Sequence, residues 1–344
     1  MNPTLTPESI SEAAKMLGTA YRDGTRVRVQ GSGSADAMGY DVDSNVVLST
    51  AGLTRIEAWE PGDLTAVVEA GVSVRELEST LSEARQSAVI SNGEGTVGGI
   101  VATGRSGFRR LRYGPTRDRM LEVTLVTGDG RVVTGGGRLV KNVTGFDLPR
   151  LATGSFGSLG LIARVCFKLW PIPQAAATVR VESAESARLA AYRPLALLET
   201  PEGVSVYLEG TADAVDGQAI ALGGERTDGH DWPDAPRGHI GLSLRVPPSE
   251  VAMALGRLDP SWDFVAQHGV GEIAIAGEAV DPDALVVLRG FAEQQGGGLV
   301  VTAGEIEGVD PWGTPPATLE LQRRLIAQFD PSRLINPGIL PGGL

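Results

Sequence analysis

Residues 154–173 read GSFGSLGLIARVCFKLWPIP. Three glycines and two serines stand directly before an alternating stretch. In that stretch Leu161, Ala163, Val165, Phe167 and Leu169 share one face, with Arg164 and Lys168 on the other. Such a period of two predicts a core strand, and Pro171 and Pro173 end it and mark a domain boundary. A tight turn after a helix accounts for Gly154 but leaves Gly157 and Gly160 unexplained. Backbone amides and hydroxyls in this turn could serve an adenine or a diphosphate.

Upstream, glycine again sits among apolar residues. The passage 91–107, SNGEGTVGGIVATGRSG, predicts a bent, buried loop that lets a flat ligand approach the main chain, because Val97, Ile100 and Val101 are too apolar for a surface loop. Leu121–Val126 and Arg131–Thr134 flank Gly128-Asp129-Gly130, a hairpin signal. The strand Arg26–Gln30 runs into Gly31-Ser32-Gly33-Ser34. A dinucleotide-binding turn of Rossmann type needs G-x-G-x-x-G and a helix starting there; Asp36 holds the third glycine's place and no apolar helical stripe follows, so that reading fails. A short run of free N–H groups can still grip a pyrophosphate, and a plain tight turn fits equally well. A helix from Thr6 and Pro7 carries Ile10, Ala13, Ala14 and Leu17. Thr65–Ala70 predicts a strand, and Ser73-Val74-Arg75-Glu76 a capping box.

After residue 173 the pattern changes. Strands and helices follow in two β-α-β-β-α units separated by a polar loop, 223–238, and predict an α+β cap on an antiparallel sheet. A last helix, 317–329, leads into a tail containing Asn336-Pro337-Gly338. No repeat is visible in the sequence itself.

The 344 residues favour two domains. A net charge of −12 disfavours nucleic acid, and no apolar run is long enough to span a membrane. The N-terminus lacks a signal-peptide pattern, which points to the cytoplasm. The single cysteine, Cys166, allows no cysteine cluster, and His230, His239 and His268 are scattered, so a metal site is not expected. His268 is a candidate general base, although a lone histidine is more often a packed or surface residue. Six arginines (105, 109, 110, 112, 117 and 119) could hold a carboxylate, dock an acidic partner, or form a solvated face.

Taken together, GDLTAVVEAGVSVRELESTL, TVGGIVATGRSG, RLRYGPTRDRMLEVTLVTGDG, KNVTGFDLPRLATGSFGSLGLI and FDPSRLINPG resemble the FAD-binding domain of the vanillyl-alcohol oxidase and p-cresol methylhydroxylase superfamily. Within it the chain is most similar to the E subunits of bacterial glycolate oxidases. The resemblance implies a PCMH-type FAD-binding domain of two subdomains over residues 1–173, an α+β cap over 174–329, and a tail, 330–344, that returns to the FAD domain. It places Gly31, Ser32, Gly33 and Ser34 at the diphosphate, and Thr96, Gly98, Gly99, Gly104 and Ser106 along the flavin and diphosphate. Gly157, Gly160 and Ile162 fall at the adenosine end, and Asn336 near the flavin ring. Covalently attached relatives use a histidine in the first loop or a cysteine elsewhere; that loop has neither and Cys166 lies on a core strand, so FAD is expected to be noncovalent. The implied function is a subunit that passes a hydride from a small 2-hydroxy acid to flavin. Electrons then leave through a partner iron–sulfur subunit, beside a second flavoprotein subunit, in the cytoplasm or against the inner membrane through those partners. Relatives that oxidise hydroxy acids themselves carry a histidine-rich cap motif, and this chain has His268 alone, so an accessory FAD-binding subunit without its own turnover is the alternative.

Overall fold

The computed structural model describes residues 2–91, 94–137 and 147–344. Residues 141–146, the start of the string KNVTGFDLPRL, lie outside the described residues, as do Asn92 and Gly93.

The predicted core strand is the centre of the first large sheet. Five antiparallel strands run in the order β4 (Ile56–Glu60), β5 (Thr65–Glu69), β9 (Leu161–Lys168), β7 (Met120–Val126), β8 (Val132–Gly136). Both faces of β9 are covered. A register shift against β7 breaks the single face that alternation predicts: Leu161 and Ala163 pack with Ala13 and Leu17 of the first helix, while Val165 and Phe167 join Leu77, Ile100 and Leu125 in the larger core. Each of the Leu, Ile, Val and Phe side chains taken out of water contributes about 1.5–3 kcal/mol. The first helix, Ile10–Asp23, begins later than Thr6 and Pro7 suggest: Ser9 caps it, accepting from Glu12 N at 3.2 Å, while Glu12 Oε2 accepts from Glu8 N. A capping box thus outcompetes proline as the start signal.

A small parallel sheet, β1 (Thr4–Leu5), β3 (Val46–Ser49) and β2 (Val27–Gln30), stands beside this core. The tail completes it, for Ile335 bridges Val27 in parallel and Asn336 N donates to Val27 O at 2.9 Å. A two-stranded ribbon, β6 (Gln86–Ser87) with β10 (Trp170–Pro171), leads out of the domain.

The second large sheet has eight antiparallel strands: β11 (Ala175–Val181), β12 (Ala196–Thr200), β13 (Gly203–Gly210), β14 (Glu225–Asp228), β15 (Ile240–Arg245), β16 (Asp263–Gln267), β17 (Glu272–Gly277) and β18 (Gly298–Ala303). Their spatial order is β14-β11-β13-β12-β16-β17-β15-β18. Each half is a β-α-β-β-α-β unit, and one half mirrors the order of the other about the β12–β16 seam. The repeat that the sequence conceals is therefore present in three dimensions. The seam pairs Leu198 with Gln267 and Glu199 with Ala266. Each half has its own core, one around Val179 and Val206, the other around Leu244 and Ile273. The polar loop expected over 223–238 contains β14, an edge strand exposed at every position, which explains why alternation failed to reveal it.

Candidate functional site

Strand β2 delivers the chain into the turn 31–35, where Gly33 adopts a φ of +78° that favours glycine. The N–H groups of Ser32, Gly33 and Ser34 donate to no described residue. Opposite the turn, the expected loop 96–104 is instead a helix, Val97–Thr103. Thr96 is its N-cap, accepting from Gly99 N at 3.3 Å, and Gly104 ends it in the left-handed conformation at φ +67°. Two adjacent glycines argue locally against a helix, but Gly98 also answers to packing. A Cβ on Gly98 would lie 2.7 Å from Ala70 Cβ, and one on Gly31 would lie 2.4 Å from Thr96 Oγ1.

These pieces enclose an open cleft of about 800 Å³, part of it open to solvent. Gly31, Ser32, Gly33 and Ser34 form one wall, with Gly98 and Gly99 facing them. Gly157, Gly160 and Ile162 form another, and Asn336 closes the end. The cleft thus gathers ten of the thirteen residues assigned to the cofactor from the sequence. The other three are occupied structurally. Thr96 caps its helix, Gly104 packs on Gly154, and Ser106 Oγ accepts from Thr116 N at 3.0 Å.

Asn336 ties the walls together. It is 3% exposed, its Oδ1 accepts from Val29 N at 2.7 Å, and its Nδ2 donates to Phe156 O at 2.8 Å. Gly157 must stay bare beside it, since a Cβ there would lie 2.6 Å from Nδ2. Gly160 answers to the sheet, its virtual Cβ falling 2.4 Å from Val126 O.

Several lining residues carry no motif and were missed in the sequence. Thr50 Oγ1 is buried with no hydrogen-bond partner among the described residues. Arg28 pairs with Asp36 at 3.2 Å, neutralising an acid beside the Gly33 turn. Tyr40 donates to Asp310 Oδ2 at 2.5 Å, and burial together with that carboxylate pushes its phenol up to about 12. Trp312 Nε1 reaches Ile339 O at 2.9 Å, so a cap loop and the tail lock the outer rim.

His268 lies elsewhere. It is buried at the cap seam, its backbone N donating to Leu197 O and its Nε2 2.7 Å from Glu199 Oε2. It does not line the cleft. His268→Ala is therefore expected to leave the flavin-to-protein ratio of the purified chain unchanged; a ratio that falls in a variant that still folds would tie the seam to the cofactor.

The arginine cluster largely joins the FAD domain to the cap. Arg110 pairs with Glu272 at 2.9 Å, and Arg112 donates to Glu209 O at 2.9 Å. Tyr113 donates to the Glu209 carboxylate; burial and that contact hold its pKa far above the ordinary phenol range. Arg119 is buried, its Nη2 on Gly114 O, and burial followed by the charge of Arg109 lowers its pKa to about 10. Of the KNVTGFD string, Asp147 is described: it caps the helix Leu148–Ala152 by accepting from Arg150 N at 3.0 Å.

Free amides, an unpartnered hydroxyl and bare glycines on facing walls suit a long, polar, flat-ended ligand. A family model described as "FAD binding domain" matches residues 3–136.

Glycolate oxidase subunit GlcE of Escherichia coli K12 is 30% identical over 230 residues, 63% of this chain and 65% of that protein. D-lactate dehydrogenase of Archaeoglobus fulgidus is 31% identical over 168 residues, 48% of this chain and 38% of that one. The chain thus spans less than two thirds of the length of these relatives. Among solved structures, an alkyldihydroxyacetonephosphate synthase superposes with a TM-score of 0.70 at 15% identity, covering 97% of this chain and 75% of its own, and so shares the fold. The FAD-binding domain plus α+β cap with an antiparallel sheet is this architecture. The cofactor is FAD, and the chain is related to glycolate oxidase subunits and D-lactate dehydrogenases.

Proposed function

We propose that this chain is the FAD-binding subunit of a complex that oxidises a small 2-hydroxy acid, glycolate being the first candidate. The observation that carries this is the cleft, with its unoccupied N–H groups at 32–34 and the partnerless Thr50 Oγ1, in a chain related to GlcE. FAD bound there supplies a hydride acceptor, whose electrons leave to an iron–sulfur subunit. The chain's own part is to hold and orient. The Gly31–Ser34 turn, Gly99 and Thr50 would meet the diphosphate and ribose; Phe156, Gly157 and Ile162 would bound the adenosine end, and Asn336, expected from the resemblance near the flavin ring, would sit with them because its Nδ2 holds Phe156 O. Attachment is noncovalent, with Cys166 buried on β9 and no histidine in the turn. The working division is 1–173, 174–329 and 330–344, which the separate sheets and cores support. Among the described residues no helix is long and apolar enough to cross a membrane, and no cluster of His, Cys, Asp and Glu could hold a metal. Any membrane association would run through the flavoprotein and iron–sulfur partners of a cytoplasmic complex.

A second reading, an accessory FAD subunit without turnover, draws on two observations. No residue of 174–329 lines the cleft, and His268 is engaged by Glu199. The visible spectrum of the purified chain, before and after anaerobic addition of glycolate, separates the two. The first reading expects a flavin spectrum that bleaches. A flavin spectrum that bleaches only when partner subunits are added supports the accessory role. A protein that takes up no FAD, alone or with partners, sinks both.

A further inference from the structure

Arg105 follows the cleft helix and does not itself line the cleft, but its guanidinium bonds two side chains that do. Nη2 donates to Ser34 Oγ at 3.0 Å, and Nε to Thr103 Oγ1 at 3.3 Å. Both acceptors line the cleft, and Ser34 belongs to the turn with free N–H groups. Two of the guanidinium's five N–H donors are thereby placed on hydroxyls, which carry no charge. No described carboxylate pairs with it, and the undescribed residues include neither Asp nor Glu. Arg28 has Asp36 and Arg110 has Glu272; Arg109 and Arg119 lack an acid among the described residues too, but they bond Ser87 Oγ and Gly114 O, neither of which lines the cleft. Burial pulls the Arg105 pKa below the ordinary guanidinium value, with the more distant Glu94 opposing. A cation held partly out of water without an acid is costly unless an anion joins it. Planar guanidinium is the side chain best suited to oxyanions.

We infer that Arg105 is the charge partner of an anionic group of FAD. The diphosphate is one such group, and the isoalloxazine ring, negative near N1 when reduced, is the other. The inference rests on the chain binding FAD and not on its oxidising a hydroxy acid, so the test uses no hydroxy acid. Two variants divide charge from tethering. Arg105→Gln removes the charge and keeps a donor for Ser34; Ser34→Ala removes the tether's acceptor and keeps the charge.

FAD-stripped protein would be titrated with ADP at low and high salt, and the midpoint potential of bound FAD measured in each variant. If the diphosphate is the partner, R105Q weakens ADP binding at least tenfold and flattens its salt dependence, while R105K stays near the parent and S34A, which keeps the charge, loses less and retains the parent's salt slope. If the ring is the partner, ADP binding is unchanged and R105Q lowers the midpoint potential, with R105K restoring it. Equal losses in R105Q and S34A, or no change in either quantity, overturn the inference and leave Arg105 as a loop tether.

Discussion

Asn336→Ala is expected to lower stability by about 2–4 kcal/mol and to weaken FAD binding by an order of magnitude or more. The change strips a buried donor, Val29 N, and a buried acceptor, Phe156 O, of their partner at once. It also puts alanine at a φ of +42°, which asparagine tolerates better. Urea unfolding and FAD titration measure the two effects. Asn336→Asp should fall between parent and alanine variant, because a carboxylate keeps the acceptor for Val29 N and loses the donor to Phe156 O. A protein that is less stable yet binds FAD as tightly as the parent would show that the clamp does not shape the cleft.

Gly98→Val is expected to cost about 3 kcal/mol, an overpacking effect. Its cause is contact with the sheet, since Gly98 N donates to Ala70 O at 2.8 Å and the added Cβ would lie 3.1 Å from that oxygen. This revises the expectation that the glycine exists for the ligand's approach. The pair Gly98→Ala and Ala70→Gly makes the distinction measurable. If the double variant regains both stability and FAD affinity, packing is the whole reason for Gly98. If stability returns while FAD remains weak, the cleft requires the glycine as well.

What could be read from the sequence was what repeats at a fixed period or sits in a local signal. Strand β9 was legible by alternation and Ser73 by its box, in which the structure places a bond from Glu76 N at 3.1 Å. The helix at Val97 was hidden because two glycines argue against it locally while Ala70, far away in sequence, requires one of them. Strand β4 offered too little alternation, its five residues being exposed or half-buried. The cleft shows the same limit. Glycine turns announced three of its walls, but Thr50, Tyr40 and Ile339 have nothing unusual around them and matter through where the fold puts them. Asn336 was legible through family resemblance alone, since nothing near it in the chain hints at a partner 307 positions earlier.

That distance has a bearing on biosynthesis. The turn at 31–34 and the helix at 97–103 leave the ribosome long before Ile335 can lie beside Val27. Until then β2 lacks its outer neighbour and Val29 N has no acceptor. The cleft is consequently one of the last parts of the nascent molecule to be finished, after both halves of the cap have had their chance to fold. Loading of FAD thereby reports that synthesis has run through to the tail, and a polypeptide interrupted within the cap would carry every glycine turn of the site and still hold it open.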